Sequence, residues 1–161
     1  MAKFKMQEIV SDTRSRTARF GAGTGAGNNW TDAETGKFVK LAGESRYDLA
    51  AAGDEIQGWV AALQFATFDG YTLGTVNSGT YKRATADGLQ ASAGTGTLAV
   101  GDYVLVGTAV AKGTVLAGEP KVVKATDQTI AKNSPFAHRV VDLGTAGTGA
   151  VGTVILIEPA R

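Results

Sequence analysis

The chain has 161 residues, which suits one domain, or one domain with an arm, and suffices to bury a core without covalent staples. The absence of Cys excludes disulfides and thiolate metal sites, and a single His makes no ordinary zinc site without several carboxylates beside it. A net charge of +1 with 19% charged residues excludes both a strongly basic nucleic-acid footprint and a charge-rich disordered chain.

The opening Met1-Ala2-Lys3-Phe4-Lys5-Met6 has no apolar stretch of signal-peptide type, and no apolar run reaches bilayer-spanning length, so a soluble protein made in the cytosol is expected. Lys3, Lys5, Arg14, Arg16 and Arg19 stand against Glu8 and Asp12, so the first twenty residues carry +3. A tract from Gly21 to Gly27, followed by Asn28-Asn29, reads as a flexible joint. Residues 1–36 are therefore expected to be an extended N-terminal arm ordered by a partner, and residues 37–161 a β-rich body. In the arm, Lys3, Lys5, Arg14, Arg16 and Arg19 would meet acidic patches, while Phe4, Phe20 and Trp30 would fill pockets.

From Lys37 onward, short apolar runs are broken by Gly and Asp. Strands are expected at 37–41, 55–63, 71–76, 80–85, 103–106 (running on towards Val110), 121–124, 136–143 and 151–158. Asn77-Ser78-Gly79 predicts a hairpin joining 71–76 to 80–85. Val154-Ile155-Leu156-Ile157, apolar at every position, predicts a strand covered on both faces. Helix is expected at 45–52, closed by Gly53, and more weakly at 127–132. Ala52-Gly53-Asp54 and Val100-Gly101-Asp102 each place a Gly-Asp turn before a strand, and Gly58 and Gly107 follow as places for a bulge or bend. This reads as a repeated device and not as an internal duplication. The fold class expected is mainly β: a small barrel-like or tulip-like body with little helix.

The chemical motifs fail one by one. Gly147-Thr148-Gly149-Ala150-Val151-Gly152 spells the dinucleotide fingerprint, but a β-branched strand follows it, where pyrophosphate binding needs a helix N-terminus. A hairpin loop is the better reading. His138 and Asp142 would share a strand face some distance apart, with no nucleophile-elbow Ser. Asp54 and Glu55 are adjacent and would point apart, Asp32 and Glu34 lie in a polar run, and Asp69, Asp87 and Asp102 read as turn residues. No catalytic, cofactor-binding or metal-binding set emerges, and no enzyme is expected.

Three stretches carry a resemblance. Phe4-Lys5-Met6-Gln7 through Val10-Ser11-Asp12-Thr13-Arg14, then Glu44-Ser45-Arg46-Tyr47-Asp48-Leu49 with Gly53-Asp54-Glu55-Ile56-Gln57-Gly58, and finally Arg139-Val140-Val141-Asp142-Leu143-Gly144 into Val154-Ile155-Leu156-Ile157-Glu158 are similar to tailed-bacteriophage capsid decoration (cement) proteins. The resemblance implies a β-barrel or β-tulip body, often a homotrimer, on the capsid exterior over junctions between major capsid subunits. It implies the major capsid protein and its own copies as partners, with assembly in the host cytoplasm and no nucleic acid, membrane or cofactor. A tail or fibre component, or a polysaccharide hydrolase with paired carboxylates, are the alternatives.

Overall fold

The computed structural model describes residues 15–21, 30–43, 46–64, 72–79, 81–87 and 97–160. Their strands are β1 (Ser15–Phe20), β2 (Phe38–Gly43), β3 (Arg46–Leu49), β4 (Gly58–Gln64), β5 (Thr72–Asn77), β6 (Lys82–Ala86), β7 (Tyr103–Val106), β8 (Lys121–Lys124), β9 (His138–Asp142) and β10 (Val154–Pro159). A 3₁₀ turn spans Asp32–Glu34 and one short helix, α1, spans Gln128–Asn133. The protein is mainly β, as expected, but the strands close into two five-stranded barrels, β1-β3-β2-β4-β5 and β6-β8-β7-β9-β10.

The two barrels have one topology and one register. β1 runs parallel to β3, with Arg19 opposite Arg46 and Phe20 opposite Tyr47; β6 runs parallel to β8, with Thr85 opposite Lys121 and Ala86 opposite Val122. The other ladders are antiparallel in both barrels. Ala18 faces Gly74 in the first barrel, and Ala84 faces Ile155 in the second. The β4–β5 pairing skips Ala61, and the β9–β10 pairing skips Val141 at the corresponding step. Even bonds outside the ladders recur: Gly21 N–H donates to Tyr47 O and Asp87 N–H to Val122 O, while Ala50 N–H donates to Phe38 O and Ala125 N–H to Tyr103 O. The chain is thus a duplicated five-strand unit, which corrects the reading of a mere repeated device. Few side chains match between halves, because a barrel wall constrains which face a residue occupies more than its identity.

Other expectations change for the same tertiary reasons. The segments around Asn77-Ser78-Gly79 form no hairpin: β5 pairs with β1 and β4, β6 with β10 and β8, so the stretch links the barrels. The helix expected at 45–52 is β3 followed by a turn, because Tyr47 is buried in the first core and both edges of β3 are paired. The weaker helix is present as α1, where the Asp127 carboxylate accepts from Thr129 and Ile130 N–H. β10 alternates, with Ile155 and Ile157 inward and Val154 exposed, so only one of its faces is fully covered. Gly58 opens β4 and Gly107 follows β7, so both mark strand ends.

The division at residue 36 is corrected as well. β1 is a full stave: all six of its residues pair with β5. Phe20 is 0% exposed and Trp30 3%, and their rings meet at a centroid distance of 4.6 Å. They fill the first core beside Ala18, Val39, Tyr47, Val60 and Val76 and do not reach out to a partner. An aromatic pair of this kind is better satisfied inside a barrel than on a solvated arm.

Candidate functional site

The seam between the barrels holds a buried pair of charged side chains, Glu34 and Lys37. Thr31-Asp32-Ala33-Glu34 is a capping box, in which Thr31 N–H and Oγ1 donate to Glu34 Oε2 at 2.6 and 3.0 Å. Glu34 is 0% exposed and Lys37 4%, with Lys37 Nζ 3.5 Å from Glu34 Oε1. Both reach across the seam. Gly113 N–H donates to Glu34 Oε1 at 2.5 Å, and Lys37 Nζ donates to Ala111 O at 2.9 Å. The loop after β7 is thereby fastened to the first barrel by a buried pair whose oxygens are all bonded. Burial alone would raise the Glu34 pKa, but the N–H donors of Thr31 and Gly113 and the Lys37 cation outweigh it and hold it below the usual carboxylate value.

The lowered Glu34 pKa ties stability to pH. The folded pKa is the lower one, so the stabilisation is present above the ordinary carboxylate pKa and is lost as pH falls through the depressed folded value. Glu34→Ala strands the Lys37 cation and two N–H donors, and should cost about 3–5 kcal/mol at neutral pH. Urea unfolding at pH 7 and pH 3 checks both points: the drop in midpoint on acidification should be smaller in the variant than in the parent chain.

One turn, docked on a valine, is used three times among the described residues, and a fourth copy, Ala150–Thr153 with Gly152 at φ +87, docks on Ala86 through the same two bonds. In Glu34–Lys37, Ala51–Asp54 and Ala99–Asp102 the fourth N–H donates to the first carbonyl, and the third residue is a glycine at φ +84, +86 and +93. A side chain there would be strained, which is why each carries Gly. Each glycine N–H donates to a valine carbonyl (Val60, Val106, Val140), and that valine's N–H donates to the carbonyl of the fourth turn residue. The first and third turns occupy equivalent places before β2 and β7. The second docks on Val106 of the other barrel and so serves as a clasp. Asp54 and Asp102 reinforce their turns by accepting from Ala51 and Ala99 N–H, and pair with Lys40 at 2.7 Å and Lys124 at 2.8 Å. The sequence shows the two Gly-Asp copies; the copy ending in Lys37 lacks the Asp, and only its capping box could have drawn attention to it.

Apolar contact completes the seam. Phe38, Ala50, Ile56 and Trp59 join the core cluster of the second barrel. Lys82 Nζ lies 6.0 Å from the centre of the Trp59 ring and 3.7 Å from Glu119. Burial lowers the Lys82 pKa, with Glu119 opposing. On one flank the barrels leave a crevice of about 110 Å³, with Arg16, Tyr47, Ile56, Gln57, Ser78 and Gly79 on one side and Pro135, Phe136, His138, Pro159 and Ala160 on the other.

Of the expected contact residues, Lys3, Phe4, Lys5 and Arg14 lie outside the described residues, as does Asp69. Arg16 and Arg19 are exposed on β1, Arg16 at the crevice. The carboxylates are spread out. Glu158 pairs with Arg139 at 2.8 Å, Glu119 with Lys82 and Arg83, and Asp142 accepts from Gly144 N–H. Asp87, read as a turn residue, is buried and accepts from Thr108 N–H. His138 and Asp142 do not share a face: the skipped residue Val141 reverses the alternation, so His138 is buried and Asp142 exposed. Among the described residues no three His, Asp or Glu side chains gather closely enough to hold a metal ion. No family model, curated protein or solved structure matches the chain.

Proposed function

We propose that this is a structural virion protein that binds the outer surface of a tailed-phage capsid and braces contacts between major capsid subunits. The observation that best supports the reading is the seam. Two barrels are locked by a buried ion pair, a turn that clasps the neighbouring barrel and a continuous apolar cluster, which makes one stiff body from a modest chain. A brace must transmit force between neighbours without bending, and it needs no reactive group. The residues that carry the resemblance and lie among those described belong to this framework: Arg46–Leu49 is β3, Gly53–Asp54 is in the clasp, and the C-terminal stretches supply β9 and β10. Modest affinity per copy suffices where many copies act on one shell. The major capsid protein and further copies of the chain, as a homotrimer, are the proposed partners.

Pelleting with undecorated capsids tests this. The full chain should co-sediment in many copies per particle. A chain lacking residues 1–14, and with them Lys3, Phe4, Lys5 and Arg14, should stay folded and lose most of that binding. Undiminished decoration by the truncated chain would remove the arm from the proposal. Only a few bound copies per particle would favour a tail or fibre role.

A further inference from the structure

The seam inside the chain is built on one face of the first barrel. Phe38 of β2 faces Trp59 of β4, and with Ala50 and Ile56 they join the other barrel's core cluster, 4% and 6% exposed because that barrel covers them. The duplication puts counterparts of these residues on the second barrel. Tyr103 of β7 faces Arg139 of β9 as Phe38 faces Trp59, and Arg139 faces Glu158 of β10 as Trp59 faces Asn77 of β5. Ala125 stands for Ala50, since its N–H donates to Tyr103 O as that of Ala50 donates to Phe38 O. Phe136, two residues before His138, stands for Ile56, two before Gly58. On the second barrel this face looks outward: Arg139 and Phe136 are exposed and Tyr103 is half-buried. Tyr81, near enough to act on the Arg139 charge, is 60% exposed.

The surface that receives the seam is duplicated too. On the second barrel it includes Val106, whose N–H and C=O hold the clasp, and Lys82 over the Trp59 ring. Their counterparts on the first barrel are Leu41 and Arg16. Leu41 faces Tyr47 as Val106 faces Val122, and Arg16 precedes Ala18 in β1 as Lys82 precedes Ala84 in β6. Leu41 is 47% exposed and Arg16 is exposed. We infer that the outward face of one copy's second barrel packs on the Leu41–Arg16 end of another copy's first barrel, repeating between copies the contact made once within the chain. The seam already shows which surface fits such a face, and the first barrel offers the same end. Tyr and Arg are the side chains that interfaces favour, and the Glu158 carboxylate suits Arg16. The clasp has no part here, because α1 follows Ala125 where the turn 51–54 follows Ala50, and Gln57 Oε1 takes the Leu41 N–H at 2.6 Å. The contact is therefore made by side chains, and is weaker than the seam and reversible. Face and end are different surfaces, so copies add head to tail until a ring closes. This contact deepens the reading above, on which it rests for copies of the chain being partners, and it needs no capsid.

Sedimentation velocity of the full chain, from about 1 μM to about 1 mM, tests it. The parent's mass should rise with concentration beyond one chain. Arg139→Glu on the face and Leu41→Glu on the end, both exposed changes, should each weaken association at least about tenfold. Mixed in equal amounts, the two variants should form one-to-one dimers that grow no further, because each keeps the half the other has lost. Amide NMR spectra check that the variants are folded; if Arg139→Glu is not, Tyr81→Glu takes its place. A parent chain that stays monomeric throughout, variants that associate like the parent, or a mixture that stays monomeric overturns the proposal. No capsid is present, so any of these results leaves capsid binding standing, and failed capsid binding would leave this contact standing.

Discussion

Deleting residues 1–30 should unfold the first barrel, whereas deleting residues 1–14 should leave it intact. The larger deletion removes β1, which closes the barrel by pairing with β5 along its whole length and with β3 at Arg19 and Phe20. It exposes the edges of β3 and β5, whose N–H and C=O groups lose their ladder partners. It also removes Phe20 and Trp30 from the core, and truncating one such buried aromatic costs about 3–5 kcal/mol. Together these losses reach the whole stability of an ordinary domain, about 5–15 kcal/mol. Damage should spread through the seam, because Phe38 and Trp59 of the first barrel belong to the second barrel's core cluster. Amide NMR spectra of the two truncated chains decide the matter: the shorter deletion should keep native dispersion for Val39, Val60 and Val76, and the longer should lose it. Native dispersion in the longer deletion would mean that β1 is dispensable, contrary to its place in the wall.

The second large effect concerns how the duplicated barrels divide their volume. In the first, Phe20 fills the core and Gly74 leaves room for it; a Cβ on Gly74 would lie 2.8 Å from the Phe20 ring, 2.9 Å from Leu63 and against the Ala62 carbonyl. In the second, the equivalent positions are Ala86 and Ile155, both buried. One barrel pairs large with none, the other small with large. Gly74→Ala should therefore destabilise by about 1–3 kcal/mol through overpacking, and Phe20→Ala by about 3–5 kcal/mol through the cavity it leaves. The double variant should lose less than the two singles together, with a coupling on the order of 1 kcal/mol, since the new methyl enters the emptied space. The remaining contact with the Ala62 carbonyl keeps the rescue incomplete. Urea unfolding of the four proteins measures the coupling; strict additivity would show that the two positions do not share one volume.

Much of the outer form was legible from the residues. Tyr103–Val106, Lys121–Lys124, Thr72–Asn77 and the closing apolar run are strands because β-branched and aromatic residues alternate or cluster between Gly and Asp breaks. The loop reading of Gly147–Gly152 stands for the same reason: β9 and β10, on either side of it, are antiparallel neighbours. The candidate site was harder to see. Glu34, Lys37 and His138 are polar residues in unremarkable contexts, and their importance comes from burial, which depends on residues up to 79 positions away. The charge of Arg16 is plain in the sequence, but only the fold brings it to the crevice that His138 also lines.

By itself, then, the sequence determined that the chain would be β-rich and broken by glycine turns, because alternation and turn chemistry are local properties. It also excluded thiolate chemistry, because the chain has no Cys. Only the tertiary structure decided that there are two barrels, that β1 is a stave and no arm, that Asn77-Ser78-Gly79 links the barrels, and that His138 lines a crevice. Each of these turns on which strand pairs with which. Pairing is set by closure of a barrel around a shared core, a long-range condition that a short window of residues does not carry.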